Sequence, residues 1–330
     1  MKKLTSWDED PIASFSSFVF TDDFARTSLR QPADLILRTI STESAKTYIF
    51  MFGNFVKWMV AELKTLSTIT QFDLLRFINR TENGKRLLNS KIAFRYLRLI
   101  ERCYDHLGNV PNPARLTMLT TAPGEFAKDA AGRSLSNDQL LRFFDALPSA
   151  SQRRRQKTAF DGWKRRRDRA MQLVMALAGL RVSEAVGLLL EEVGKQVEID
   201  GAIELTITPD EKHDTSYEHV TLLPRAGVDE LHPWLRERDL MKIPGHFVFP
   251  ANMAGDKMTK KTVYVQIRST FARAGLDLSR SGGRTLRNTF AKRQLENGTL
   301  PDDLKDILGL ALERSAADYK FTQINEDKKK

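Results

Sequence analysis

The chain has 330 residues, 41% of them hydrophobic and 28% charged, enough for two domains with cores of their own. Its single cysteine, Cys103, excludes intramolecular disulfides and a thiolate metal cluster, and no apolar run approaches the roughly 18 residues of a membrane span. Lysine and arginine number 52 against 42 acids, a net charge of +10, which favours a polyanionic partner.

In chain order, residues 1–25 read as irregular. MKKLTSWDED carries acids where a signal peptide needs an apolar core, so a cytosolic protein is expected. From Ser44 to Leu66, the residues Tyr48, Met51, Phe55, Met59 and Leu63 form one helical stripe. Thr70 and Asp73 have the spacing of a helix start ahead of FDLLRFI. A third helix is expected from Ser90 to Leu107, with Phe94, Leu97, Ile100 and Tyr104 on one face and Cys103 as a small packed residue. GNVPNPARL breaks it, and residues 115–134, with Pro123, Gly124 and Gly132, read as a linker.

The second part opens on Ser136 and Gln139, with capping-box spacing. RDRAMQLVMALAGL predicts a helix closed by Gly179, and another starts near Ser183. VEIDG, AIELTITPD and HVTLLP then alternate apolar and polar residues, as a small antiparallel sheet does. After Pro250 helices return in TVYVQIRSTFARAGL, TLRNTFAKRQLENG and PDDLKDILG, with a last helix or turn over Ala311 to Phe321. The fold class is therefore mainly α with a small antiparallel β-sheet.

The basic residues cluster. Between Arg153 and Arg169, nine lysines and arginines face only Asp161 and Asp168. Like charges this dense favour contact with phosphates, and Arg153, Arg154, Arg155, Lys164, Arg165, Arg166 and Arg167 are the expected DNA-backbone residues.

Four further features stand in order. Arg181 lies at a helix junction beside Glu184, Lys212 in a turn between strands, Arg284 and Arg287 at the start of a helix, and Tyr319 near the C-terminus. Together they suit phosphodiester transesterification. A tyrosine offset by positive charge can attack phosphorus, arginines can hold the non-bridging oxygens, and a lysine can protonate the leaving oxygen. No carboxylate pair, cofactor or metal is needed. A metal site from Asp210, Glu211, His213 and His219 fits no standard spacing.

These stretches resemble the tyrosine recombinases, or phage integrase family, over most of the chain. GLRVSEAVGLLLEEV is similar to the family's first-arginine box, HVTLLP to the strand after its hairpin lysine, RTLRNTFA to His-x-Leu-Arg-His-Thr, and ILGLALERSAADYKF to Leu-Gly-His followed by the tyrosine. The resemblance implies a Xer-like two-domain protein. Residues 1–40 are an N-terminal extension, 41–114 a helical SAM-like core-binding domain, 115–134 a linker, 135–321 a mixed α/β catalytic domain and 322–330 a basic tail. No arm-binding domain is expected ahead of residue 40.

It also implies roles. Arg181 and Arg287 clamp the scissile phosphate, Lys212 is the general acid, and Tyr319 forms a 3′-phosphotyrosyl bond without ATP. The partner is double-stranded DNA, held by a homo- or hetero-tetramer on paired sites, in a bacterial cytoplasm at the nucleoid, in the service of a mobile element. The sequence departs from the family at two places: Arg284 stands for a histidine, and Leu310 for a histidine or tryptophan. Asn288 replaces a further histidine. Arg284 keeps charge but does not act as a base, and Leu310 donates no hydrogen bond; His213 or His219, in the hairpin beside Lys212, would substitute in part, the alternative being that both are solvated in the turn. These losses open a second reading, a catalytically weak DNA-binding partner of a paralogous recombinase. A type IB topoisomerase uses similar chemistry and is the third.

Overall fold

The computed structural model describes residues 2–28, 40–109, 111–121, 132–149, 162–194, 200–208, 218–279, 281–310 and 313–324. The chain divides into two compact units, Met1–Ala130 and Ala131–Lys330.

The first unit is helical. Residues 1–25 are expected to be irregular, and the stretch instead carries α1 (Lys2–Glu9), α2 (Pro11–Phe18) and the start of α3 (Asp22–Ser28). Each is too short to show a full apolar period. Asp10 caps α2 by accepting from the Ala13 N–H at 3.0 Å, and Pro11 suits the first turn. Trp7, Phe15, Phe18 and Phe24 are buried in the same core as Phe52, Phe55, Phe77 and Tyr104. The extension is thus part of the domain, held by aromatic packing such as the Phe15–Phe52 stack at 4.2 Å.

Next come α4 (Thr42–Ala61), α5 (Gln71–Asn79), an antiparallel hairpin of β1 (Thr81–Glu82) and β2 (Lys85–Arg86), and α6 (Ser90–Leu107). Thr70 and Asp73 form the capping box that their spacing predicts. Cys103 is buried and donates to the Leu99 carbonyl, and burial pushes its thiol pKa up, so it is a packed residue. The expected linker begins too early: α7 (Pro113–Thr120) occupies its first residues. Asn112 starts that helix by accepting from the Ala114 and Arg115 N–H groups at 3.1 and 3.2 Å.

The second unit runs β3 (Arg133–Ser134), α8 (Asn137–Asp145), α9 (Trp163–Leu177), α10 (Val182–Gly187), β4 (Ile203–Ile207), β5 (His219–Leu223), α11 (Arg225–Leu240), α12 (Lys260–Arg273), α13 (Gly283–Glu296), α14 (Pro301–Ile307), α15 (Glu313–Ala317) and β6 (Gln323–Ile324). A 3-10 turn, Asp318–Phe321, links the last two. Ser136 and Gln139 cap α8 as a capping box. β4 and β5 pair antiparallel from Ile203↔Leu223 to Ile207↔His219, and Val193 bridges to Leu205. Residues 197–199 of VEIDG lie outside the described residues. Alternation buries Ile203, Leu205 and Ile207 on β4, and His219, Thr221 and Leu223 on β5.

Sequence periodicity overlooks α11, whose interior Pro233 reads as a breaker. Trp234 anchors that helix, fully buried and donating to the Val248 carbonyl at 2.9 Å. The expected tail also begins with structure: β6 pairs parallel with β3, Arg133 opposite Gln323 and Ser134 opposite Ile324. The main core gathers Met171, Val174, Met175, Leu180, Ile267 and Leu286. A smaller cluster of Phe290, Ala291, Leu295, Leu304, Leu308 and Ala316 carries Leu310 and Tyr319 on its edge.

Candidate active site

α9 ends at Leu177 with Ala178 as its C-cap, and Gly179 turns the chain at φ +71. A Cβ there would lie 2.4 Å from the Phe290 ring, so glycine serves both the left-handed turn and the approach of α13. The turn delivers Arg181 to the N-cap of α10. One turn on, Glu184 reaches back. Its Oε2 accepts the Arg181 backbone N–H at 2.6 Å, and its Oε1 pairs with the Arg181 guanidinium.

α13 enters through Gly282 and Gly283. A Cβ on Gly283 would lie 2.5 Å from Val182, so this helix start is pressed against α10. One turn in, the buried Arg287 donates from Nη1 to the Gly179 carbonyl at 2.7 Å and to Glu184 Oε2 at 3.1 Å, and from Nη2 to the Leu308 carbonyl at 2.6 Å. Burial lowers the Arg287 pKa, the Glu184 carboxylate raises it, and the Arg181 charge lowers it again. Tyr319 stands near enough to the same guanidinium to raise its pKa. Glu184 therefore joins Arg181 and Arg287, and Arg287 adjoins Tyr319.

Arg284, one turn before Arg287 on α13, is exposed, and among the described residues nothing pairs with it. The two arginines of RTLR separate in this way. One is fixed by Glu184 and two carbonyls, and the other is free to meet an anion.

Tyr319 is half-buried in the 3-10 turn. Its carbonyl accepts the Thr322 N–H at 3.1 Å and the Thr322 hydroxyl at 2.9 Å. Thr322 also donates its hydroxyl to Ser134 at 3.2 Å, and its carbonyl accepts from Lys292 Nζ at 3.1 Å. Asn288 donates to the Arg133 carbonyl at 2.8 Å. Thus α13 and the β3–β6 pair together fix the turn that bears the tyrosine. Sequence reasoning missed Lys292, Thr322 and this role of Asn288. Two-residue strands give no periodicity, and Ser134 and Thr322 are 188 residues apart.

Leu310 is half-buried beside the Tyr319 cluster, with its N–H donated to the Lys305 carbonyl at 2.9 Å. His219 and Leu310 line one cavity of about 390 Å³. Lys212 and His213 fall in residues 209–217, outside the described residues, as do Arg153, Arg154 and Arg155 in residues 150–161.

The rest of the basic run needs correction. Arg167, expected on DNA phosphate, is buried. It donates to Asp168 Oδ1 at 2.6 and 2.8 Å and to the Pro250 and Ala251 carbonyls at 2.6 and 3.0 Å. It shares the inward face of α9 with Ala170, Met171 and Val174, and that face decides its role. Burial raises the Asp168 pKa against the lowering by Arg167. Arg166 is engaged by Glu237, Nε to Oε2 at 2.6 Å, and Arg169 by Glu230 at 2.8 and 2.9 Å. Lys164 stays exposed and Arg165 half-buried. Among the described residues, no group of three His, Cys, Asp or Glu is placed to hold a metal, and no helix is long and apolar enough to cross a membrane.

Comparison with known proteins puts this arrangement in context. The phage integrase family matches residues 133–324. The chain is 24% identical over 280 residues to the tyrosine recombinase XerD of Corynebacterium glutamicum, covering 82% of this chain and 85% of that protein. It is 33% identical over 135 residues to XerD of Pseudomonas aeruginosa, covering 40% of this chain and 42% of that one. The fold is similar to that of the XerH site-specific recombinase in a post-cleavage complex with palindromic difH substrate. That likeness has a TM-score of 0.67 and 18% identity, and covers 85% of this chain and 76% of that one. A lambda integrase dimer bound to a COC′ core site gives a TM-score of 0.59 at 15% identity, covering 86% and 73%.

Proposed function

The chain belongs to the phage integrase family, and on that premise we propose that Tyr319 is its nucleophile, Arg181 and Arg287 its clamp on the scissile phosphate, and Lys212 its general acid. The protein is a tyrosine-type DNA strand-exchange enzyme of site-specific recombination or integration. The observation that carries the residue assignment is the connected set Arg181–Glu184–Arg287, with Tyr319 near enough to raise the Arg287 pKa.

In the proposed step Tyr319 loses its hydroxyl proton to water, and a bond forms between the phenolate oxygen and phosphorus. The bond from phosphorus to the 5′ oxygen breaks, and that oxygen takes its proton from Lys212. Two guanidinium groups meet the charge that grows on the non-bridging oxygens. Arg284 adds a third as a phosphate ligand without acting as a base. Lys164 and Arg165 would meet the flanking backbone, which positions the duplex without reading its sequence. Paired sites would be held by a tetramer, and the element served would be a mobile one.

The second reading, a weakly catalytic partner of a paralogue, rests on the aliphatic Leu310 at the edge of the tyrosine cluster. Covalent trapping separates the two. The full chain is incubated with sheared DNA of the genome that carries its gene, and denaturant-stable protein–DNA adducts are sequenced to recover the site. A nicked suicide duplex built on that site should yield an adduct with wild type and none with Tyr319→Phe. Specific retention of a duplex without any adduct would favour the weak partner.

A further inference from the structure

Leu310 occupies a place where the family resemblance leads to a donor, and its side chain donates nothing. The cavity that Leu310 lines holds a ring that can. His219 opens β5 on that strand's buried face, next to Thr221 and Leu223. It borders the same 390 Å³ as Ile307 and Leu310, together with the charged Glu218, Lys305 and Asp306.

Hydrogen bonds of nearby residues bring both segments close to Arg287. Thr221, two residues after His219, donates to the Ala178 carbonyl at 3.1 Å. The next carbonyl, that of Gly179, accepts Arg287 Nη1 at 2.7 Å. Leu308, two residues before Leu310, accepts Arg287 Nη2 at 2.6 Å through its own carbonyl. Two residues along a strand span only about 6.7 Å, within reach of an imidazole and a phosphate. His219 is also the first described ladder residue after the segment that carries Lys212, paired with Ile207.

We propose that His219 donates to the scissile phosphate the hydrogen bond that Leu310 cannot, the donor having moved from the turn after α14 to the first residue of β5. The inference rests on the reading that Arg181, Arg287 and Tyr319 surround that phosphate. One imidazole N–H meets a non-bridging oxygen and strengthens as charge develops there. No proton is transferred, and protonation of the leaving oxygen stays with Lys212.

The test is a rescue. Single-turnover adduct formation is measured on the nicked suicide duplex for wild type, H219F, L310H and the double variant, with thermal melting of each. H219F should lose about a hundredfold in rate, and adding L310H to it should restore most of the loss. H219N, which keeps an N–H, should lie between wild type and H219F, and it serves if H219F melts early. The loss should persist on a duplex with a bridging 5′ sulfur, which leaves without a proton. A wild-type rate for H219F, a loss that L310H leaves untouched, or a loss that the sulfur substrate abolishes would each overturn the inference. Absence of any Tyr319-dependent adduct from wild type would remove the reading beneath it instead, and the inference with it.

Discussion

Glu184 and Arg287 form a buried ion pair: Nη1 stands 3.1 Å from Oε2, and the two side chains are 2% and 6% exposed. The other carboxylate oxygen pairs with Arg181, whose side chain remains 26% exposed. One acid thus sets the spacing of two guanidiniums and leaves the outer one facing solvent. Removing one partner of a buried pair costs about 3–5 kcal/mol, because the other charge is left uncompensated. Glu184→Ala should lose stability of that order in urea unfolding. Its cleavage should fall as well, since nothing then holds Arg181 and Arg287 in register.

The basic stretch of α9 predicts opposite behaviour from neighbours three residues apart. Arg167→Ala should destabilise by at least about 3 kcal/mol, having lost Asp168 and two carbonyls from a buried site. Among molecules that remain folded, the salt dependence of DNA binding should be unchanged. Lys164→Ala should leave the melting curve alone, since Lys164 is exposed. The slope of log K against log salt should then drop by about 0.9, the loss of one phosphate contact. Equal salt slopes for wild type and Lys164→Ala would remove Lys164 from the interface.

Arg284 allows a cleaner separation of charge from structure. It is exposed and unpartnered among the described residues, so Arg284→Ala should change stability by no more than about 0.5 kcal/mol. Suicide-substrate cleavage should fall about a hundredfold if it donates to the transition state. An unchanged rate would make Arg284 an ordinary surface cation.

Gly179 bears on both fold and site. Its φ is +71, and an alanine Cβ at this position would lie 2.4 Å from the Phe290 ring, so there is no room for the methyl group. Gly179→Ala should cost at least about 1–2 kcal/mol for the left-handed backbone alone. It should also reduce cleavage, because the displaced carbonyl is an acceptor for Arg287. Chemical denaturation and single-turnover rates on the same preparation check both.

Much of this was legible from residues alone, for reasons that can be named. The long helices announced themselves by period and by caps such as Thr70–Asp73 and Ser136–Gln139. β4 and β5 alternated cleanly. Family spacing singled out Arg181, Arg287 and Tyr319. By contrast, α1 to α3 are seven or eight residues each and depend on tertiary aromatic contacts. α11 carries an interior proline that local reasoning treats as a stop. Charge density could not tell Arg167 from Lys164, because the distinction is which face of α9 packs inward. Asn288 looked like a lost histidine, and its amide in fact ties β3 to α13. That bond joins residues 155 apart, a separation at which no sequence pattern operates.

The central claim is that Tyr319, beside the buried Arg287, is the residue that becomes joined to DNA. The most direct measurement is peptide mapping by mass spectrometry of the adduct trapped on a nicked suicide duplex. The account predicts a single nucleotide-bearing peptide containing Tyr319, with no adduct from Tyr319→Phe and melting of that variant unchanged. A nucleotide on any other residue, or an undiminished adduct from Tyr319→Phe, would contradict it.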